Sequence, residues 1–168
     1  MSEKKIVFRD KSLSFQGLFD IKGLFRSIVK WFEDHGYDML GTKNFEEIYE
    51  QDKKIVFELI PYKKVTDYHK FEVRVFVICE SLKEAEVELK GVKHRLVKGN
   101  VFFTFDGTLV TDYENRFEGK AQLFFFRTLV DKYIFKSHTR NYEQELTREV
   151  KEAEEEIKAY LNMFRYAG

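Results

Sequence analysis

The chain has 168 residues, with 29 Lys and Arg balanced by 29 Asp and Glu, 43% hydrophobic residues and a single cysteine, Cys79. A zero formal charge without a long basic run argues against nucleic acid as partner, because phosphate contacts demand local positive potential. One cysteine excludes an intramolecular disulfide and fits a reducing compartment, so a cytoplasmic location is expected.

The length suits one domain, residues 1–168, able to bury a core without metal or disulfide. MSEKKIVFRD carries no apolar signal core, and no stretch approaches the roughly 20 apolar residues of a transmembrane helix.

In chain order, residues 4–16 alternate in part (Ile6, Phe8, Leu13, Phe15), with an interruption at Arg9-Asp10-Lys11. This predicts a strand that Gly17 ends. Asp20 is placed as an N-cap. Ile21, Leu24, Phe25, Ile28, Val29 and Phe32 follow at helical spacing, and Gly36 suits the left-handed residue after a helix. A helix over 20–35 is expected.

From Tyr37 to about Asp112 the period changes to two. Phe45 and Ile48 precede a turn at Gln51-Asp52-Lys53, and Ile55, Phe57 and Leu59 follow. Phe71, Val73, Val75, Val77 and Cys79 share one face of the next strand. Ala85, Val87 and Leu89 alternate with Glu84, Glu86 and Glu88. Gly91 reads as a turn or a bulge, and Lys98-Gly99-Asn100 reads as a hairpin turn. Val101, Phe103 and Phe105 keep parity with Leu109, so Asp106-Gly107 is expected to be a bulge within one long strand. The polar alternation predicts an antiparallel sheet with one solvated face. The basic cluster Lys90, Lys93, His94, Arg95 and Lys98 reads as a solvated strand face.

Residues 122–136 fit either a helix or a strand at 117–126 running into one. As a helix, Leu123, Phe126, Val130, Tyr133 and Ile134 would form its stripe, and Phe124 and Phe125 would spread the apolar surface well beyond it. Such a surface suits burial on two sides, a partner, or peripheral membrane contact. Residues 141–165 predict a long amphipathic helix: Leu146, Val150, Ala153, Ile157, Leu161 and Phe164 repeat every three or four positions. This seam can dock on the sheet or self-associate. The class is therefore α+β, an antiparallel sheet packed by an N-terminal helix and a long C-terminal helix.

Chemistry is sparse. His35, His69, His94 and His138 are scattered and Cys79 has no C-x-x-C partner, so no metal site is expected. No phosphate-loop, dinucleotide or nucleophile-elbow motif occurs, so no cofactor is expected and no catalytic residue is assigned. Asp67 and His69 are two apart at a strand start, where a base and its orienting partner could share a face. A solvated strand end explains them as well. Asp112, Glu114 and Arg116 around Tyr113 read as a strand exit.

The order strand, helix, antiparallel strands, long C-terminal helix resembles the helix-grip fold of the Bet v 1, START and polyketide-cyclase-like families. That resemblance implies a curved sheet wrapped around the last helix and an apolar cavity between them. Phe71, Phe103 and Phe105 are the aromatic positions that would serve an apolar ligand. FDIKGLFRSIVKWFEDHGY, DYENRF and LVDKYIFKSHTRNYEQEL are similar to small archaeal proteins of uncharacterised function, which implies an archaeal source and no activity. The leading expectation is a non-enzymatic interaction or assembly module, a homo-oligomer or the binder of a protein partner. Its interface candidates are Phe124, Phe125, Leu129, Tyr133, Leu146, Val150, Ile157, Leu161 and Phe164. An apolar-ligand binder and a peripheral membrane protein are the alternatives.

Overall fold

The structure, a computed structural model, describes residues 2–48, 53–114 and 136–165. Strand β1 (Glu3–Phe19) is followed by helix α1 (Ile21–Asp34). Strands β2 (Asp38–Ile48), β3 (Lys53–Lys64), β4 (His69–Leu89) and β5 (Val92–Thr111) come next, then helix α2 (Lys136–Asn162). The five strands form one antiparallel sheet in the order β1-β5-β4-β3-β2. The α+β class expected from the sequence is the class observed. Of the expected segment at 122–136, residues 122–135, with Phe124, Phe125, Leu129 and Tyr133, lie outside the described residues, as does the turn at Gln51-Asp52.

Helix α1 begins and ends as its sequence dictates. The Asp20 carboxylate accepts from the Lys22 N–H at 3.1 Å, satisfying one of the orphan donors of the first turn. At the other end Gly36 adopts φ +80°. Its N–H reaches the Glu33 carbonyl at 3.0 Å while the Tyr37 N–H reaches Phe32 at 2.9 Å. This pair of bonds is a Schellman termination, which needs a left-handed residue at the position Gly36 holds. Leu24, Ile28 and Phe32 are the buried face.

Strand β1 runs through Gly17 to Phe19 instead of stopping at Gly17. Its last residues pair onward, Gly17 with Gly99, Leu18 with Lys98 and Phe19 with Val97, and the Phe19 ring is fully buried. The interruption expected at Arg9-Asp10-Lys11 is real. The register shifts between Phe8 and Lys11, Asp10 takes φ +55°, and its N–H donates to Asp106 Oδ1 at 2.8 Å. β5 is the expected long strand through Asp106-Gly107. The bulge belongs to β1, since β4 pairs in unbroken register with Asp106 and Gly107. A side chain at Gly107 would run into the Phe8 ring.

The hairpin between β4 and β5 turns at Lys90-Gly91, not at Lys98-Gly99-Asn100. Leu89 faces Val92, with φ +50° at Lys90 and +79° at Gly91. Two successive positive φ values define the turn whose twist matches the flanking strands. Gly99 serves a different need. It lies opposite a bulge in β4, where Ser81 takes φ +55° and the register slips between Glu80 and Lys83. A Cβ at Gly99 would stand 2.8 Å from the Glu80 carbonyl oxygen.

The core lies between one face of the sheet and the two helices. Phe57 and Leu59 of β3, Phe71 to Cys79 of β4 and Val101, Phe103, Phe105 and Leu109 of β5 point into it, as their period of two requires. Helix α2 begins at Lys136, ahead of the expected start, and ends at Asn162. Beyond it, Met163, Phe164 and Arg165 bond to carbonyls three residues back, which tightens the chain out of the α-helix.

Candidate functional site

Three regions carry the residues from which function could come: the α2–sheet seam, a polar cluster at one sheet end, and a projecting strand pair.

The seam comes first because four interface candidates lie on it. Leu146, Val150, Ile157 and Leu161, with Ala153, are at most 2% exposed and belong to the chain's own core. Of the two uses open to this stripe, the structure shows docking on the sheet, so these side chains are not on offer to a second copy. Phe164 is half-buried, its ring edge-on to Tyr160 with centroids 5.7 Å apart. Five buried aliphatic positions at about 1.5–3 kcal/mol each for the larger side chains make the apolar stripe the main force holding α2.

Ion pairs flank that stripe. From β1, Lys5 binds Glu143 at 2.5 Å and Lys11 pairs with Glu154 at 3.1 Å. From β3, Lys63 binds Glu149 Oε1 at 2.7 Å, while the Tyr37 hydroxyl donates to Glu149 Oε2 at 2.6 Å. Burial, reinforced by the hydrogen bond to Glu149, pushes the Tyr37 phenol well above its ordinary range. Such partly screened pairs add little energy each, but they fix which turn of α2 meets which strand.

Phe71, Phe103 and Phe105 are packed in the same cluster and no more than 1% exposed. The Phe103 and Phe105 rings stack with centroids 6.3 Å apart. The aromatic row that the sequence offered to an apolar ligand thus contacts the chain's own side chains.

The second region is the turn joining β3 to β4. Thr66 organises it: its hydroxyl oxygen accepts from the N–H groups of Tyr68 at 3.2 Å and His69 at 2.9 Å, and lies 3.2 Å from His69 Nδ1. The Tyr113 hydroxyl donates to the Thr66 carbonyl at 2.9 Å, and the Asp112 N–H to the Tyr68 carbonyl at 2.9 Å. His69 and Asp112, far apart in sequence, therefore meet at one sheet end, whereas Asp67 stands exposed on the turn. His69 is only 1% exposed and packs on Tyr142 of α2 at 4.6 Å between centroids. A ring so enclosed presents no atom to a dissolved substrate, and the geometry is that of a turn anchor. The sequence reading overlooked Thr66. The signal available was a hydroxyl residue three positions ahead of a strand's first residue, the spacing of a side-chain-capped turn.

Cys79 is buried, and burial pushes its thiol up to about 12, far from nucleophilic use at neutral pH. Among the described residues no three His, Cys, Asp or Glu side chains gather to hold a metal ion. None of the described helices is long and apolar enough to cross a membrane.

The third region is an arm. Among the described residues, β3 pairs along β4 as far as Leu82 and β1 pairs along β5 as far as Val97. Between these limits β4 and β5 continue as a two-stranded ribbon, residues 83–96, beyond every other described strand. On one face Glu86 stands opposite Arg95 and Glu88 opposite Lys93. On the other, Ala85 faces Leu96, Val87 faces His94 and Leu89 faces Val92. Lys90, Lys93, His94 and Arg95 are exposed, but they do not form the single strand face expected: Lys93 and Arg95 share the glutamate face, His94 stands on the other beside Val87, and Lys90 lies in the turn. Val92, 57% exposed, belongs to the apolar face. Elsewhere, a surface groove of about 450 Å³ runs between Val7 of β1 and the flank of α2, where Arg140, Gln144, Arg148 and Lys151 line it.

No family model matches the chain, and no curated protein or solved structure matches it either.

Proposed function

We propose that this chain is a non-enzymatic assembly module that associates with further copies of itself through the β4–β5 arm. The observation that carries the reading is the arm's reach past both neighbouring strands with an apolar face still partly uncovered. An isolated two-stranded ribbon is marginally stable in water, so an arm of this kind gains by docking. The enclosed His69 and the buried, weakly acidic Cys79 thiol give no support to a catalytic reading.

Native mass spectrometry across a concentration series tests this. The arm can be removed cleanly: Lys83 and Lys98 are register partners, so residues 84–97 can be replaced by an Asn-Gly turn. The full chain is expected at multiples of 20.2 kDa and the shortened chain as a folded monomer. A full chain that stays monomeric at every concentration sinks the reading.

Binding of an apolar ligand is the second reading. It draws on the sheet order, in which the first strand lies beside β5 with α2 packed on the sheet, in keeping with the helix-grip resemblance. A monomer carrying extra mass in the same spectra would favour it.

A further inference from the structure

We infer that His94 makes assembly through the arm depend on pH. The apolar face of the arm packs against a second copy while this imidazole is neutral, and separates from it when the ring takes up a proton. This rests on the assembly reading and specifies its regulation.

The placement of His94 motivates it. Its companions on that face are Ala85, Val87, Leu89, Val92 and Leu96, so it is the only ionisable group among them. Leu96 is already covered at 4% exposed, whereas Val92 is 57% exposed and His94 is exposed beside it. The uncovered part of the face is thus the part that holds the imidazole. No carboxylate of the arm shares that side, since Glu84, Glu86 and Glu88 lie on the other, opposite Val97, Arg95 and Lys93. The charges that do share it are cations: the alternation puts Lys83 and Lys98, partners across the ladder, at its base, and Lys90 stands in the turn at its tip. Val101, Phe103 and Phe105 of β5 point toward the helices, so the same alternation sends His94 to the far side of the sheet, away from the charges of α1 and α2.

The two protonation states differ in what covering this face costs. A neutral imidazole carries one N–H and one lone pair, a small polar load on an otherwise apolar contact. An imidazolium would be taken out of water with cations as its nearest charged neighbours and no carboxylate on its side of the arm, which burial strongly disfavours. The assembled state therefore binds fewer protons at His94 than the separated chains do. By linkage, association is full above the ordinary histidine range, near about pH 6.5, and weakens as pH falls through it. The slope approaches about tenfold per pH unit for each imidazole covered.

Sedimentation velocity of the full chain between about pH 8 and pH 5.5 tests it, a range that brackets histidine titration. The original chain is expected to associate about tenfold or more weakly at the acid end. His94→Val keeps a residue that suits a strand and removes the titration, so it is expected to assemble equally at both ends. His94→Lys fixes the charge and is expected to stay dissociated throughout. Circular dichroism of each chain at both ends separates loss of association from loss of fold. Association of the original chain that is unchanged over the range overturns the inference, and so does a His94→Val chain that keeps the pH dependence, which would assign it to another group. In both of those cases the assembly reading stands. A full chain that is monomeric at every pH removes that reading and this inference with it.

Discussion

The hydroxyl of Tyr37 donates to Glu149 at 2.6 Å, joining the residue just after α1 to the middle of α2 across 112 positions of sequence. Both side chains are buried, and Lys63 supplies the countercharge at 2.7 Å. Cutting one partner leaves the others desolvated without full compensation, which costs about 1–3 kcal/mol. Tyr37→Phe and Glu149→Ala are each expected to lower stability by that order in urea denaturation. A double-mutant cycle between them should give a coupling above about 0.5 kcal/mol. Strictly additive effects would show that the contact contributes nothing.

Gly99 and Gly91 test the turn assignment. At Gly99 an added Cβ meets a backbone oxygen at 2.8 Å that no rotamer change can move. Gly99→Ala is therefore expected to destabilise by about 1–3 kcal/mol, as overpacking does. Gly91 has φ +79° and open space around it. Gly91→Asn should be nearly neutral, because Asn tolerates the left-handed region. Thermal melts of both variants check the contrast. The reverse ranking would place the hairpin turn at Gly99 after all.

Glu72 predicts an acid limb in the stability profile. Burial works against its ionisation, but hydrogen bonds from Lys70 and Lys4 outweigh that and hold the carboxyl below the usual glutamate range. With the folded pKa depressed, the unfolded chain binds the extra proton in the intervening window, so stability rises with pH there. The contribution is complete above the ordinary value of about 4.3 and is lost as pH falls through the lower folded one. Glu72→Gln should flatten that slope and leave the profile above about pH 6 parallel to the original. Denaturation midpoints measured from neutral to acid pH decide it.

Cys79 offers a reporter of global opening. Its thiol is fully buried and pushed up to about 12. A thiol reagent at neutral pH is expected to label it only at the unfolding rate, then at once in denaturant. Fast labelling of the folded chain would show that the sheet opens locally near β4.

Much of the architecture was written in local pattern. The N-cap of Asp20, the Leu24–Ile28–Phe32 stripe and the terminating Gly36 specify α1 by short-range chemistry alone. The period of two along β4 and β5 assigned every inward residue from Phe71 to Leu109, because burial of one sheet face leaves no other register. The kink at Arg9-Asp10 was legible too, as polar residues breaking an alternation. Gly99 was misread, because a glycine required by close backbone approach looks in sequence like one required by a turn. Only the pairing partner, a bulge at Ser81 eighteen positions earlier, tells them apart.

The site was less legible, for the same reason. The stripe of Leu146, Val150, Ile157 and Leu161 announces that α2 buries a face but carries no label saying against what. Sheet and sister helix are equally apolar partners, and the pairs that match turns of α2 to strands, Lys5, Lys11 and Lys63 with Glu143, Glu154 and Glu149, come together only once the strands are paired. Likewise Glu84, Glu86 and Glu88 read as an ordinary solvated strand face. Their place beyond the described pairing of β3 follows only from the register that sets Lys53 opposite Leu82. By itself the sequence determined which residues are helical, extended and apolar, since those follow from neighbours a few positions away. The tertiary structure decided which faces were already occupied, because occupancy is a relation between distant segments that no local period encodes.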